Sequence, residues 1–269
     1  MGNSDSEALS ERDRSEVIRS AEEARRFANI SLNRDQIERY LSPRPNTPFP
    51  LEYAYYLLGD IQGKIVLDLG CGKGENLVLL AERGAKLIGI DVSPDLARLA
   101  EKRIALAGIK ADVVVGSAYQ THLRDESVDV IFCIAIIHHL DIRQVCSEIF
   151  RILKKGGFVV LLEPIRFSTL YDRCRKLLPS RQNISEHEHP LTRSEFASVT
   201  NIFAVETLRY FRLPIVPLTQ WLGVAKPFAF KLSASLIATF PVLRHFATLV
   251  VARLRKPDEL HRIGESANV

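Results

Sequence analysis

The sequence predicts an α/β fold: a doubly wound, mostly parallel seven-stranded sheet with helices on both faces and a helical C-terminal insertion. Three observations carry that prediction. Between residues 64 and 163, short continuous apolar runs alternate with stretches of helical length, the pattern of parallel strands buried on both faces and joined by crossover helices. The first of those runs ends in an acid and passes directly into glycines at 70, 72 and 74, a sharp strand-to-helix turn. At 269 residues, 46% of them hydrophobic, the chain can bury a full core as one elaborated domain.

Taken in order, residues 1 to about 29 are polar and charge-rich. They read either as a disordered tip or as a solvated helix, and no chemistry is expected there. The proline-punctuated segment Ser42–Pro50 cannot be regular helix, because each proline biases its predecessor toward extended geometry. Residues 1–50 thus form an N-terminal extension. A helix over Leu51–Leu58 opens the core, assigned to 51–212. Strands follow at Ile65–Leu69, Lys86–Asp91, Ala111–Gly116, Val128–Ile136 and Gly157–Glu163, separated by helices at Asn76–Arg83, Pro94–Leu106 and Ile142–Leu153. Thr192–Val199 reads as a short helix and Phe203–Phe211 as a sixth strand. Residues 213–245 form an insertion rich in Leu, Phe, Ala and Pro, expected as a helical lid. Residues 246–269 supply the last strand and a polar tail.

The turn itself is Val66-Leu67-Asp68-Leu69-Gly70-Cys71-Gly72-Lys73-Gly74. Glycines let a ligand approach the backbone, and the next strand ends in Asp91, about 20 residues on, where such folds present an acid to a ribose hydroxyl pair. A dinucleotide fingerprint would need Gly or Ala at position 75, where Glu75 stands. That disfavours a dehydrogenase.

The spacing Asp68-x-Gly70-x-Gly72-x-Gly74, with Asp91 closing the second strand, resembles motif I and its partner acid in class I S-adenosylmethionine (SAM) methyltransferases. The likeness, nearest to the ubiquinone and menaquinone methyltransferase-like group, covers about Leu51 to Glu163. It implies a Rossmann-like fold and SAM as cofactor, with Asp68 offsetting the ammonium of the methionine chain. It also implies a cofactor set of Asp68, Gly70, Cys71, Gly72, Gly74, Asp91, Val92, Ser117 and Ala118, with Phe49 and Tyr53 as candidates to lie over the bound cofactor. The family's acid after the third strand is missing from Gly116-Ser117-Ala118-Tyr119; Ser117 and the Ala118 amide stand in for it. Arg151-Ile152-Leu153-Lys154-Lys155-Gly156-Gly157 resembles the family's R-x-L-K-P-G-G turn, with Lys155 replacing proline.

In open α/β sheets ligands bind at the carboxyl ends of the strands. That rule selects His138 and His139 after the fourth strand and His187 and His189 after the fifth as candidate bases, of which at most one serves. His138 and His139 are expected to point in opposite directions if the strand continues through them. A metal site in the 185–190 loop is a weaker reading, since one loop rarely closes a coordination shell, and none is assigned.

Charge narrows the acceptor. From Thr207 to Pro257 there is no Asp or Glu, yet eight Lys and Arg are interleaved with aromatics. That suits a lipid-like acceptor or an anionic membrane surface, or else a sheet cap with solvated cations. A nucleic-acid acceptor is not expected, because Ile137-His138-His139-Leu140 replaces the base-gripping [N/D]-P-P-[Y/F] motif. The four cysteines lack C-x-x-C spacing, which suits a reducing cytoplasm. The expected activity is methyl transfer to a small, hydrophobic or amphipathic acceptor, at most peripheral to a membrane. The non-enzymatic alternative is a SAM-binding, membrane-associated scaffold, against which the intact glycine loop counts.

Overall fold

The computed structural model describes residues 10–26, 34–167, 189–216 and 225–257. In chain order the elements are α1 (Glu11–Arg26), α2 (Arg34–Leu41), α3 (Pro50–Leu58), β1 (Ile65–Leu69), α4 (Glu75–Ala81), β2 (Lys86–Asp91), α5 (Pro94–Leu106) and β3 (Ala111–Val115). There follow β4 (Val128–Ile134), α6 (Ile142–Ile152), β5 (Leu153–Arg166), β6 (Leu191–Thr192), α7 (Arg193–Ile202), β7 (Ala204–Phe211), α8 (Lys226–Thr239) and β8 (Leu249–Arg255). Short 3-10 turns cover Ile137–His139 and Pro241–Phe246.

Among the described residues the main sheet is ordered β3-β2-β1-β4-β5-β8-β7, with the two-residue β6 pairing the end of β5. Strands β1 to β5 are parallel, and β8 runs antiparallel between β5 and β7. The chain winds outward from β1 through β2 to β3, then returns to β4 on the other side of β1. Carboxyl-end loops therefore part between β1 and β4, leaving the crevice in which such sheets bind ligands.

Alternation along β1 shows how the two faces are filled. Leu67 and Leu69 pack toward α6 and α7, with Val145, Ile149 and Phe196. Val66 faces the opposite layer, with Tyr55, Leu58, Leu77 and Ala100 of α3, α4 and α5. Period-two side-chain alternation sends Asp68 to that second layer. Phe49 and Tyr53 do not reach the crevice; their rings pack on Phe230 and Phe211, at 5.8 and 5.4 Å between centroids.

Helix starts follow the sequence closely because their caps are local. Ser93 accepts the Leu96 amide ahead of Pro94, Asp141 accepts the Gln144 amide at 3.0 Å, and Thr192 and Glu195 form a reciprocal capping box. The fourth strand is shorter than expected, ending at Ile134 and not at Ile136. Ala135 turns to a φ of 56°, and one oxygen of the buried Glu163 carboxylate accepts the amides of Ile136 (3.0 Å) and Ile137 (2.8 Å). Those two amides would otherwise have continued the ladder.

The described part of the insertion is helical as expected, over Lys226–Thr239 and the 3-10 turn after it. It leaves and re-enters the sheet at the carboxyl edge, where Phe211 pairs with Leu249. Helix α8 is held there by Ser233, whose hydroxyl accepts the Leu213 amide at 2.8 Å.

Candidate active site

The glycine loop is built on the ends of β1 and β2. The Gly70 and Cys71 amides both donate to the Ile90 carbonyl, at 2.8 and 3.0 Å, folding the loop back across β2. A side chain at position 70 would stand 2.2 Å from Ile136 Cδ1, so close approach demands glycine there. Gly72 differs: its φ is +51°, and a Cβ would meet nothing within 4 Å. Its amide is fixed by Asp91 Oδ2 at 2.8 Å, while Asp91 Oδ1 accepts the Ser93 amide at 2.9 Å. The loop thus presents bare backbone to open space.

That space is a cavity of about 290 Å³. Of the residues singled out in the sequence, Gly70, Cys71, Gly72, Asp91, Val92 and Ala118 line it. Gly74 does not; a Cβ there would meet Ala100 at 2.9 Å, so the position serves α4–α5 packing. Ser117 is also not among the lining residues, and its hydroxyl donates to Asp13 at 3.0 Å.

Asp68 is the unusual group. Its side chain is buried, and neither carboxylate oxygen has a hydrogen-bond partner. Asn76 stands close by, its amide oxygen taken by the Tyr55 hydroxyl at 2.9 Å, without reaching hydrogen-bond geometry to Asp68. Burial, with the negative charge of Asp91 added and the nearby Asn76 side chain opposing both, pushes the Asp68 carboxyl up to about 8. A buried carboxylate with no partner costs stability, and a bound cation would relieve that cost.

The sequence reads the N-terminal extension as a disordered tip or a solvated helix; the structure instead sets helix α1 against the cavity, contributing Arg12, Asp13, Glu16 and Arg19 to its lining. Glu16 lies 3.8 Å from His139 Nδ1 and 2.5 Å from Arg19. Burial opposes its ionisation, but Arg19 outweighs that and His139 adds to it, so the carboxyl sits below its ordinary range. What α1 turns inward is polar: Asp13 and Ser20 are buried, while Ile18 is 70% exposed. An amphipathic pattern search looks for the reverse.

His138 and His139 do not diverge, because the 3-10 turn replaces strand geometry. Their rings lie 4.0 Å apart, tilted by 41°. His138 is buried, its Nδ1 2.8 Å from Glu163 Oε2, whereas His139 lines the cavity. His189 lies elsewhere, 3.7 Å from Glu195 and close to the Pro190 carbonyl. His187 lies outside the described residues. Burial, with neighbouring carboxylates, pushes the Cys71 thiol far up, so it lines the cavity as an inert apolar group. Among the described residues no three His, Cys, Asp or Glu side chains gather as a metal set.

Residues 67–161 match the family described as "Methyltransferase domain". The segment is thus a methyltransferase domain, and this match supports one of the class I SAM-dependent kind. The chain is 30% identical over 113 residues to a sterol 4-C-methyltransferase of Caenorhabditis elegans, covering 41% of this chain and 34% of that protein. The chain is also 32% identical over 126 residues to a ubiquinone biosynthesis O-methyltransferase of Nitrosomonas europaea, covering 46% of this chain and 51% of that one. The matched region thus spans between a third and about half of these relatives. A crystal structure of geranyl diphosphate C-methyltransferase from Streptomyces coelicolor aligns over 93% of this chain and all of its own length (100%), with a TM-score of 0.61 and 15% identity. At that identity the likeness establishes the fold. The methyltransferase domain therefore contains the glycine loop, Asp91 and both central histidines, while α1 lies outside the matched segment.

The raised Asp68 carboxyl has a signed consequence for the methyltransferase domain's stability. Its folded value near 8 lies above the unfolded value of about 3.9. The folded state therefore holds the proton more tightly, and stability is lost as pH rises from about 4 through 8. Asp68→Asn should match wild type in melting temperature near pH 4. Its advantage should grow to on the order of 10–20 °C by pH 8.5 without cofactor. Equal melting curves at both pH values would contradict the unpaired burial of Asp68.

Proposed function

We propose that this chain transfers a methyl group from SAM to a small hydrophobic or amphipathic acceptor. The observation carrying this reading is the buried, partnerless Asp68 carboxylate behind a glycine loop whose Gly72 faces open space. An orphaned carboxylate and a bare-backbone cradle fit an aminoacid-bearing nucleoside. When bound, SAM supplies an electrophilic methyl group on a sulfonium. Asp68 would offset its ammonium, and Asp91, whose carboxylate is fixed by the Gly72 and Ser93 amides, would receive the ribose hydroxyls. Val92, Leu96 and Ala118 offer apolar surface to the base.

The chain's further task is to hold the acceptor in line with the methyl group, from which most of the rate enhancement in such displacements comes. His139 is the candidate histidine lining the cavity, and we assign it to receive the acceptor's proton where the acceptor is a hydroxyl or an acidic carbon. His138 is the positioning residue: with Nδ1 on Glu163, it presents its ring against that of His139. His139→Ala should lower turnover by roughly 10²–10⁴-fold with SAM affinity nearly unchanged, while His189→Ala stays close to wild type. Near-native turnover in His139→Ala would remove the base assignment.

An apolar or amphipathic acceptor is supported by the sterol and ubiquinone-pathway relatives and by the geranyl diphosphate neighbour. It is supported too by the insertion. Of the eight cations between Thr207 and Pro257, five are engaged: Arg253 and Arg255 pair with Glu206, Arg209 donates to Pro45, Arg212 to Thr248 and Lys256 to Leu153. Lys226, Lys231 and Arg244 remain exposed, beside the exposed Phe228, Leu232, Phe240 and Val242. No described helix is long and apolar enough to cross a membrane, and we propose that this surface rests on an anionic bilayer. At about 1 kcal/mol per cation, Lys226→Gln/Lys231→Gln should weaken flotation with anionic vesicles by about tenfold or more at low salt. Equal, negligible flotation of both proteins with anionic and neutral vesicles would exclude it.

A further inference from the structure

A second cavity lies at the carboxyl edge of the sheet, about 490 Å³ in volume and sharing no lining residue with the first. Its floor is one face of β7, Leu208 and Tyr210, and its wall is Ala234 and Ile237 of α8. Phe167, just past the end of β5, closes one side. Leu208 remains 36% exposed, so the floor is not filled by the chain's own described side chains.

The permanently charged groups at this cavity are all arginines. Arg193, Arg209, Arg244 and His245 line it, with no Asp or Glu among the lining residues. Arg209 is not available, because its guanidinium donates to the Pro45 carbonyl at 2.9 Å and lies over the Tyr53 and Phe211 rings. Arg193 lies over the Phe167 ring at 5.4 Å, and Arg193 and Arg244 are both exposed. Their guanidiniums therefore stand at the rim of an apolar slot. Guanidinium forks bind carboxylate and phosphate bidentately, and a slot of this volume takes a ligand of small-molecule size.

We propose that this cavity is a binding site for a single-chain anionic amphiphile, its carboxylate or phosphate on Arg193 and Arg244 and its hydrocarbon along Leu208, Tyr210 and Ile237. The apolar floor alone would accept any hydrocarbon; the two guanidiniums select an anionic head. This assignment does not depend on the methyltransferase reading, and it is tested without SAM.

The probe is decyl phosphate, kept below its micelle-forming concentration and titrated calorimetrically into the full chain. Decanol and inorganic phosphate serve as the chain-only and head-only comparisons. We expect saturable binding of decyl phosphate in the micromolar range, with decanol and inorganic phosphate each at least about tenfold weaker. Arg193→Gln/Arg244→Gln, which alters exposed side chains, should weaken decyl phosphate by about tenfold or more and leave decanol unchanged. Ala234→Phe, which narrows the slot, should weaken both chain-bearing probes, with its melting curve checked alongside. Absence of saturable binding would overturn the site. So would equal affinity for decyl phosphate and decanol, or a double variant that binds like wild type.

Discussion

The buried Asp68 carboxylate, with no hydrogen-bond partner, constrains the rest of the site, because a core that encloses such a group must either protonate it or bring it a cation. Without a cation it is pushed toward protonation, to about 8. Its neighbourhood offers little relief: Val66 and Leu67 on the same strand are fully buried, Asp91 adds negative charge, and only the Asn76 side chain opposes the shift. The glycine loop that follows Asp68 in the chain lines the cavity. On the proposed reading, a bound cation at this place recovers the cost.

Around this group the fold acts as a holder. Asp91 is fixed by two backbone amides, so its remaining lone pairs have a set direction. Glu163 does the same on the other side of the crevice, ending β4 early, turning the chain and clamping His138. Asp91 at the end of β2 and Glu163 within β5 are thus each positioned by main-chain donors. Of the two, Asp91 lines the cavity, together with His139.

What the sequence made legible is what short-range rules govern. The parallel core, the glycine loop, the caps at Ser93 and Thr192 and the helical insertion each depend on residues a few positions apart. Less legible were features that depend on contacts distant in the chain. Glu163 redirects Ile136 and Ile137 from 26 or more residues away, so His138 and His139 read as strand residues when taken alone. Helix α1 buries Asp13 and Ser20 and exposes Ile18, so hydrophobic periodicity gave it no inward face; the hydrogen bond from Ser117 to Asp13 spans 104 positions. Gly74 shares its neighbours' spacing and left-handed φ, yet it serves helix packing. Spacing alone cannot separate those roles.

Calorimetric titration of SAM at pH 7, repeated in buffers of different ionisation enthalpy, tests the central claim most directly. With its carboxyl near 8 in the free protein, Asp68 is mostly protonated at that pH, and pairing with the ammonium must expel the proton. The account predicts micromolar-range binding of SAM with release of close to one proton, and loss of that release in Asp68→Asn. Heat with NAD and none with SAM, or SAM binding with no proton exchanged, would contradict it.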